Sequence, residues 1–286
     1  MNKRKLGIVV ESTIGGDFGR SLFPDLSVVH MTIIHDNKVF SDKDFDNQKL
    51  LKLLHQGIKV TTSQPNPQAF VKAYQEQIDL GYEKIFCLTL SKQFSGTYNS
   101  ALKAKQILGD DRITVIDTES IGPGTYFTLS RIHHYLKENE LTNEEIFKKV
   151  VVEQKKGSMF FSLDELKYLA ANKKISKFKS FLGSLFKIKT ILKMKQGFIS
   201  LEKNVRTWKS CFRYLLKYAL QLQEEEEGTV EVQIIYVENH VIVNELIKEI
   251  ENLNNPNFKL SLYGQISPIV SIHLGSKGFG IYINKG

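Results

Sequence analysis

Along the first 160 residues, short continuous apolar runs alternate with stretches of helical spacing, the pattern of a parallel sheet flanked by helices. The runs predict strands near Leu6–Val10, Lys59–Thr61, Lys84–Leu90 and Arg112–Ile116. The spaced stretches predict helices over Phe45–Gln56, Pro67–Leu80, Thr97–Leu108 and Gly124–Lys137, and Thr142 with Glu145 forms a capping-box pair ahead of one more. Val28–Ile34, Asp36-Asn37 and Lys38–Phe40 read as an inserted hairpin.

After about Gly157 the rhythm changes. Short strands are expected at Met159–Phe161, Ile188–Met194 and Gly197–Ser200, then a long helix from about Arg206 to Leu222. A strand at Thr229–Val237, a helix at Val241–Leu253 and three closely spaced strands from Phe258 to Ile283 follow, the second running from Ile266 to Ile272 with His273 at its end. The expected architecture is α/β in two domains: residues 1–155 as a parallel sheet flanked by helices, and residues 156–286 as a mixed α/β unit. There is no internal repeat or low-complexity linker.

Composition narrows the class. The 286 residues, 42% apolar, suffice for a buried core. The apolar run after Lys3, Arg4 and Lys5 is too short for a signal peptide, and no stretch approaches the ~20 apolar residues of a spanning helix. Two cysteines, Cys87 and Cys211, suit a reducing compartment, so a cytoplasmic location is expected. The net charge of +8 is concentrated: Lys173 to Lys217 holds thirteen Lys or Arg against Glu202 alone. That stretch is a candidate docking face for an acidic partner or an anionic membrane surface, or a solvated Lys-rich surface. A nucleic-acid surface using Phe178, Phe181 and Phe186 is disfavoured, because their near-helical spacing beside Leu182 and Leu185 suits a buried face.

Three segments place a loop rich in Ser, Thr and Gly between an apolar strand and a helix: Val60 to Pro65, Leu90 to Thr97 and Asp117 to Gly124. At the carboxyl ends of parallel strands such loops gather where ligands bind, and each offers helix N–H groups to an anion. Ser63, Ser95 and Thr118 could equally serve as caps. His273, before Gly275, could donate to an anion from the opposite domain. No Walker loop, C-x-x-C or H-E-x-x-H occurs, so no metal or nucleotide cofactor is expected. Ser95, Asp117 and His273 stand in the order of an α/β-hydrolase triad, but Gln93 and Thr97 occupy the glycine positions of the nucleophile elbow.

Taken in order, Ser12-Thr13, Thr62-Ser63-Gln64-Pro65, Ser95-Gly96-Thr97-Tyr98-Asn99-Ser100-Ala101, the Asp117-Thr118 loop with Gly122 and Gly124, Val205-Arg206-Thr207 and His273-Leu274-Gly275 resemble the DegV family of fatty-acid-binding proteins. The resemblance implies two α/β domains around a tunnel for a long-chain fatty acid, with no catalysis by the chain itself. Its carboxylate would be held at Thr62 and Ser95 with His273, among Thr61, Ser63, Gly96, Thr97 and Gly275. It also implies a partner, the separate ATP-binding subunit of a fatty acid kinase, for which Arg206, Lys187 and Lys193 are candidate docking residues. Glu11 stands where the family often has Asp.

Overall fold

The computed structural model describes residues 5–163, 188–225, 228–238 and 240–285. The chain opens with β1 (Leu6–Glu11), a 3-10 turn at Ser12–Ile14, α1 (Gly16–Leu22) and β2 (Ser27–Val29). Next come the hairpin of β3 (Thr32–His35) and β4 (Lys38–Ser41), α2 (Asn47–His55), β5 (Thr61–Ser63) and α3 (Pro67–Asp79). β6 (Lys84–Thr89), α4 (Thr97–Leu108), β7 (Ile113–Asp117), α5 (Pro123–Glu138) and α6 (Asn143–Glu153) follow.

β1, β2, β6 and β7 form a parallel sheet in the order β2-β1-β6-β7. Every residue of β1 is buried, as a strand covered on both faces requires. Leu6, Ile8 and Val10 pack toward α5 and α6, whereas Val9 joins Phe70, Tyr74, Ala101 and Ala104 of α3 and α4 on the other face. The hairpin turn at Asp36 and Asn37 has positive φ at both residues, and Thr142 and Glu145 close the capping box before α6. α1 was not legible in the sequence, since Gly16 and Gly19 weaken its helical signal.

The later residues form β8 (Ser158–Leu163), β9 (Lys189–Lys195), β10 (Phe198–Val205), α7 (Trp208–Glu225) and β11 (Val230–Tyr236), then α8 (His240–Glu251), β12 (Phe258–Gln265), α9 (Pro268–Leu274) and β13 (Phe279–Lys285). Their mixed sheet runs β10-β9-β8-β13-β11-β12, antiparallel except between β11 and β12. Along β8, Phe160 faces the core under α7 and α8, whereas Met159, Phe161 and Leu163 join a cluster that continues into the parallel sheet through α5 and α9. Hydrocarbon packing is thus continuous between the two sheets.

Three expectations need correction. The Val28–Ile34 run is not a single hairpin arm: Val28 and Val29 pair in parallel with β1 as part of β2, and only β3 pairs with β4. The segment near Lys59–Thr61 does not extend the parallel sheet: β5 covers Thr61–Ser63 and pairs antiparallel with β3 in a three-stranded sheet, β4-β3-β5. Only Val60 in this segment is strongly apolar, which suits a strand wet on one side better than one buried on both faces. Ile266–Ile272 is not a strand either, so two strands and a helix occupy Phe258 to Ile283, with His273 in the last turn of α9. Its β-branched residues mimic a strand, but Ser267-Pro268 starts the helix and Gly275, at φ 70°, stops it. Because Ile269 through Leu274 are all buried, no polar face remained to reveal a helical period.

Candidate functional site

Four backbone segments bring polar groups to one cavity. Alternation along β5, paired through Thr62 with Ile33, turns Thr62 inward and leaves Ser63 exposed. The loop after β6 is folded on itself by bonds from Phe94 N and Ser95 N to Ser91 O, each 3.0 Å. α9 delivers His273, and the 3-10 turn after β1 delivers Thr13. Thr13, Thr62, Ser95 and His273 line a chamber of about 270 Å³, part of it open to solvent, closed by Met31, Leu90, Phe94 and side chains of Ile121 and α9.

A second chamber of about 310 Å³, part of it likewise open to solvent, shares Phe94, Ile121, Val270 and His273 with the first. Its remaining lining, Phe161, Leu192, Ile199 and Leu274, is hydrocarbon. Hydroxyls and one imidazole therefore converge in one chamber and apolar side chains in its neighbour, with His273 and Phe94 on the wall between them. Among the described residues, neither chamber is lined by Lys, Arg, Asp or Glu.

The polar groups are coupled to one another. Thr62 Oγ1 lies 3.3 Å from His273 Nε2. Ser95 Oγ lies 2.9 Å from Thr97 Oγ1 and accepts from Thr97 N at 3.3 Å, in the first turn of α4. The absent side chain of Gly96 makes room for Gln64, whose Oε1 would lie 2.0 Å from a Cβ there, so the segment after β5 seats directly on the start of α4. Gln64 Nε2 donates to Ser100 Oγ at 3.4 Å. Thr61 is partly buried beside Thr62, and Gly275 serves as the C-terminal cap of α9.

Behind Thr13 stands Glu11, fully buried. Its carboxylate accepts from Thr13 N at 2.8 Å and from Thr13 Oγ1 at 2.7 Å. Burial, reinforced by the charge of Asp42, raises the Glu11 carboxyl to about 7 against the bonds from Thr13 and Leu90 N that lower it. Asp42 itself accepts from Ser12 Oγ and pairs with His30 Nδ1 at 2.7 Å. Neither Glu11 nor Thr13 stood out as a site residue in the sequence, although Ser12-Thr13 directly after the first apolar strand was the available signal.

The contacts described for Ser95, Asp117 and His273 join each of them to other residues. Asp117 accepts from Glu119 N at 3.0 Å and Lys92 N at 3.3 Å and faces Lys92 Nζ at 3.7 Å, while Ser95 is engaged with Thr97 and His273 with Thr62. Of the candidate docking residues, Arg206 is exposed at the end of β10. Lys193 is largely covered: its ammonium lies 4.4 Å over the Tyr218 ring and 3.7 Å from Glu202. Lys187, with Lys173, Lys174, Phe178, Phe181 and Phe186, lies outside the described residues. Among the described residues no helix is long and apolar enough to cross a membrane, and no group of three or more His, Cys, Asp or Glu could hold a metal.

The family model described as "Uncharacterised protein, DegV family" matches residues 5–285. This chain belongs to the DegV family. A DegV domain-containing protein of Staphylococcus aureus (strain COL) is 30% identical over 264 residues, 91% of this chain and 92% of that one. Among solved DegV structures, a Thermus thermophilus protein described for its fatty acid binding superposes with a TM-score of 0.89 at 23% identity, over 99% of this chain and 100% of that one. A stearic-acid-binding protein of Eubacterium ventriosum gives 0.86 at 22% identity, over 98% of both chains. At such identities the superpositions establish the DegV fold, an α/β architecture with one parallel and one mixed sheet.

Proposed function

We propose that this chain binds a long-chain fatty acid, its carboxylate in the polar chamber at Thr62 and Ser95 and its tail along Phe94, Phe161, Leu192 and Ile199. The observation that carries this reading is the junction at His273, whose Nε2 meets Thr62 Oγ1 at 3.3 Å while its ring also borders the hydrocarbon chamber. Each buried CH₂ contributes about 0.8 kcal/mol, so the tail supplies most of the affinity and the hydroxyls supply orientation. The fatty acids named for the Thermus and Eubacterium relatives support the ligand class.

The chain acts as a carrier and not as an enzyme. Neutral donors hold the carboxylate without a tight countercharge and leave it chemically accessible. Thr62 and Ser95 are half-buried whereas Phe161 and Leu192 are buried, so the head group lies nearer the surface than the tail. That polarity fits presentation of the carboxylate, in the cytoplasm, to a separate kinase subunit that forms an acyl-phosphate for lipid metabolism. In this reading residues 1–155 supply the hydroxyls and residues 156–286 close the tail chamber, with Arg206 on the docking face for the kinase or an anionic membrane. Mass spectrometry of an organic extract of the purified, folded protein tests the ligand directly. One C14 to C18 fatty acid per chain is expected, and an extract free of acyl species contradicts the reading.

A further inference from the structure

Glu11 does not line the polar chamber, yet both of its oxygens are spent on a residue of the chamber wall. Oε2 accepts from Thr13 N and Oε1 from Thr13 Oγ1, so while Glu11 is ionised the hydroxyl hydrogen of Thr13 points away from the cavity. We propose that Glu11 is a positioning residue of the polar chamber that takes up a proton when a carboxylate enters, releasing the Thr13 hydroxyl to donate to that ligand. The inference rests on the fatty acid reading above and adds a proton to its binding reaction.

The surroundings of Glu11 leave the proton few other places to go. The last residue of β1, it is flanked on β2 by Val29 and accepts from Leu90 N of the loop after β6. The titratable groups facing it are Asp42, from the 3-10 turn after β4, and Cys87 of β6. His30 reaches Asp42, which also holds Ser12, and its bond is to that carboxylate and not to Glu11. Burial already places the Glu11 carboxyl at about 7. A ligand carboxylate on the far side of Thr13 adds a second negative charge and raises it further, because two nearby carboxylates resist joint ionisation. The proton comes from solvent, no covalent bond changes, and the net charge of the site is the same before and after an anion binds.

The sign follows from linkage. A group whose proton affinity rises on binding makes the complex tightest where the free protein is already protonated, below about 7, and weaker as pH rises through the value in the complex. Within that window the loss approaches tenfold per pH unit.

The test is calorimetry of fatty acid binding at about pH 8 in two buffers of different ionisation enthalpy, with displacement titrations of the acid and its matched alcohol between about pH 6 and 9. The expected result is uptake of a fraction of a proton approaching one, an acid affinity that falls across the window, and an alcohol affinity that does not. Glu11→Gln should abolish both the uptake and the slope. Thr13→Val, which keeps Glu11, should weaken acid binding several-fold near pH 6 and leave it nearly unchanged near pH 9, where the wild-type hydroxyl is already committed to Glu11. No proton uptake by the wild-type protein, or an uptake that survives in Glu11→Gln, overturns the inference while leaving fatty acid binding intact. A Thr13→Val loss that is equal at both pH values does the same. Failure of both acid and alcohol to bind removes the fatty acid reading and this inference with it.

Discussion

Thr62 Oγ1 and His273 Nε2 stand 3.3 Å apart, although 211 residues separate them in the chain. A hydroxyl has one hydrogen. If Thr62 donates it to the imidazole it has none for a ligand, whereas a protonated Nε2 donates to Thr62 and frees the hydroxyl hydrogen for a carboxylate. In the fatty acid reading His273 would act through Thr62. Thr62→Val should cost acid binding roughly 1.5–3 kcal/mol, the range for a hydrogen bond to a charged group. His273→Ala should lose a large part of the same amount, and the double variant little more than Thr62→Val alone. A double-mutant cycle by displacement titration checks this, and strictly additive losses would separate the two residues.

Glu11 also sets a pH dependence of stability in the absence of ligand. Its folded-state pKa is raised from 4.5 to about 7, so its contribution is fully present below the lower value and is lost as pH rises through the upper one. Replacing it by Gln removes that loss. From about pH 4.5 to about pH 8 the stability of Glu11→Gln should improve relative to wild type by up to ~3 kcal/mol, the equivalent of the shift. Urea unfolding at several pH values reads the difference, and parallel stability curves for the two proteins would contradict it.

Arg206 and Lys193 should differ if the basic surface docks a partner. Arg206 is exposed, whereas the Lys193 ammonium is held against Tyr218 and Glu202. Arg206→Glu should leave fatty acid affinity unchanged and weaken association with a fatty acid kinase subunit or with anionic vesicles, the effect shrinking as salt rises. Lys193→Glu should cost fold stability first, since it sets a second carboxylate beside Glu202. Co-sedimentation and thermal melting distinguish these results, and unchanged association for Arg206→Glu would assign that residue to solubility.

Much of this was legible in the residues because local rules and tertiary structure agreed. The continuous run Leu6–Val10 reads as a strand buried on both faces, and Thr142 with Glu145 reads as a helix start, and both are present. The hydroxyl loops were visible for the same reason, as Ser- and Thr-rich breaks between apolar runs. Legibility failed where packing overrode the local signal. The uniformly buried Ile269–Leu274 hid its helical period, so His273 was placed on the wrong kind of element although its inclusion in the site did not depend on it. Thr62 was expected in the loop at the carboxyl end of a strand of the parallel sheet and instead arrives from a strand paired to the β3–β4 hairpin. The carboxylate behind Thr13 was invisible for a different reason: its significance lies in burial and in the lack, among the described residues, of a basic partner, neither of which a linear pattern records.

In the fatty acid reading, the hydroxyls of Thr62 and Ser95 grip a carboxylate while hydrocarbon fills the chamber beyond His273. Competitive displacement of a fluorescent fatty acid by a free fatty acid and by its matched fatty alcohol, in wild type, Thr62→Val and Ser95→Ala, separates the grip on the head from the burial of the tail. The alcohol keeps the whole tail and loses only the charged head. The expected result is that each substitution weakens the acid by roughly tenfold or more, the equivalent of one charge-assisted hydrogen bond, and the alcohol far less. Equal losses for acid and alcohol would contradict the claim and leave Thr62 and Ser95 as residues that shape their loops.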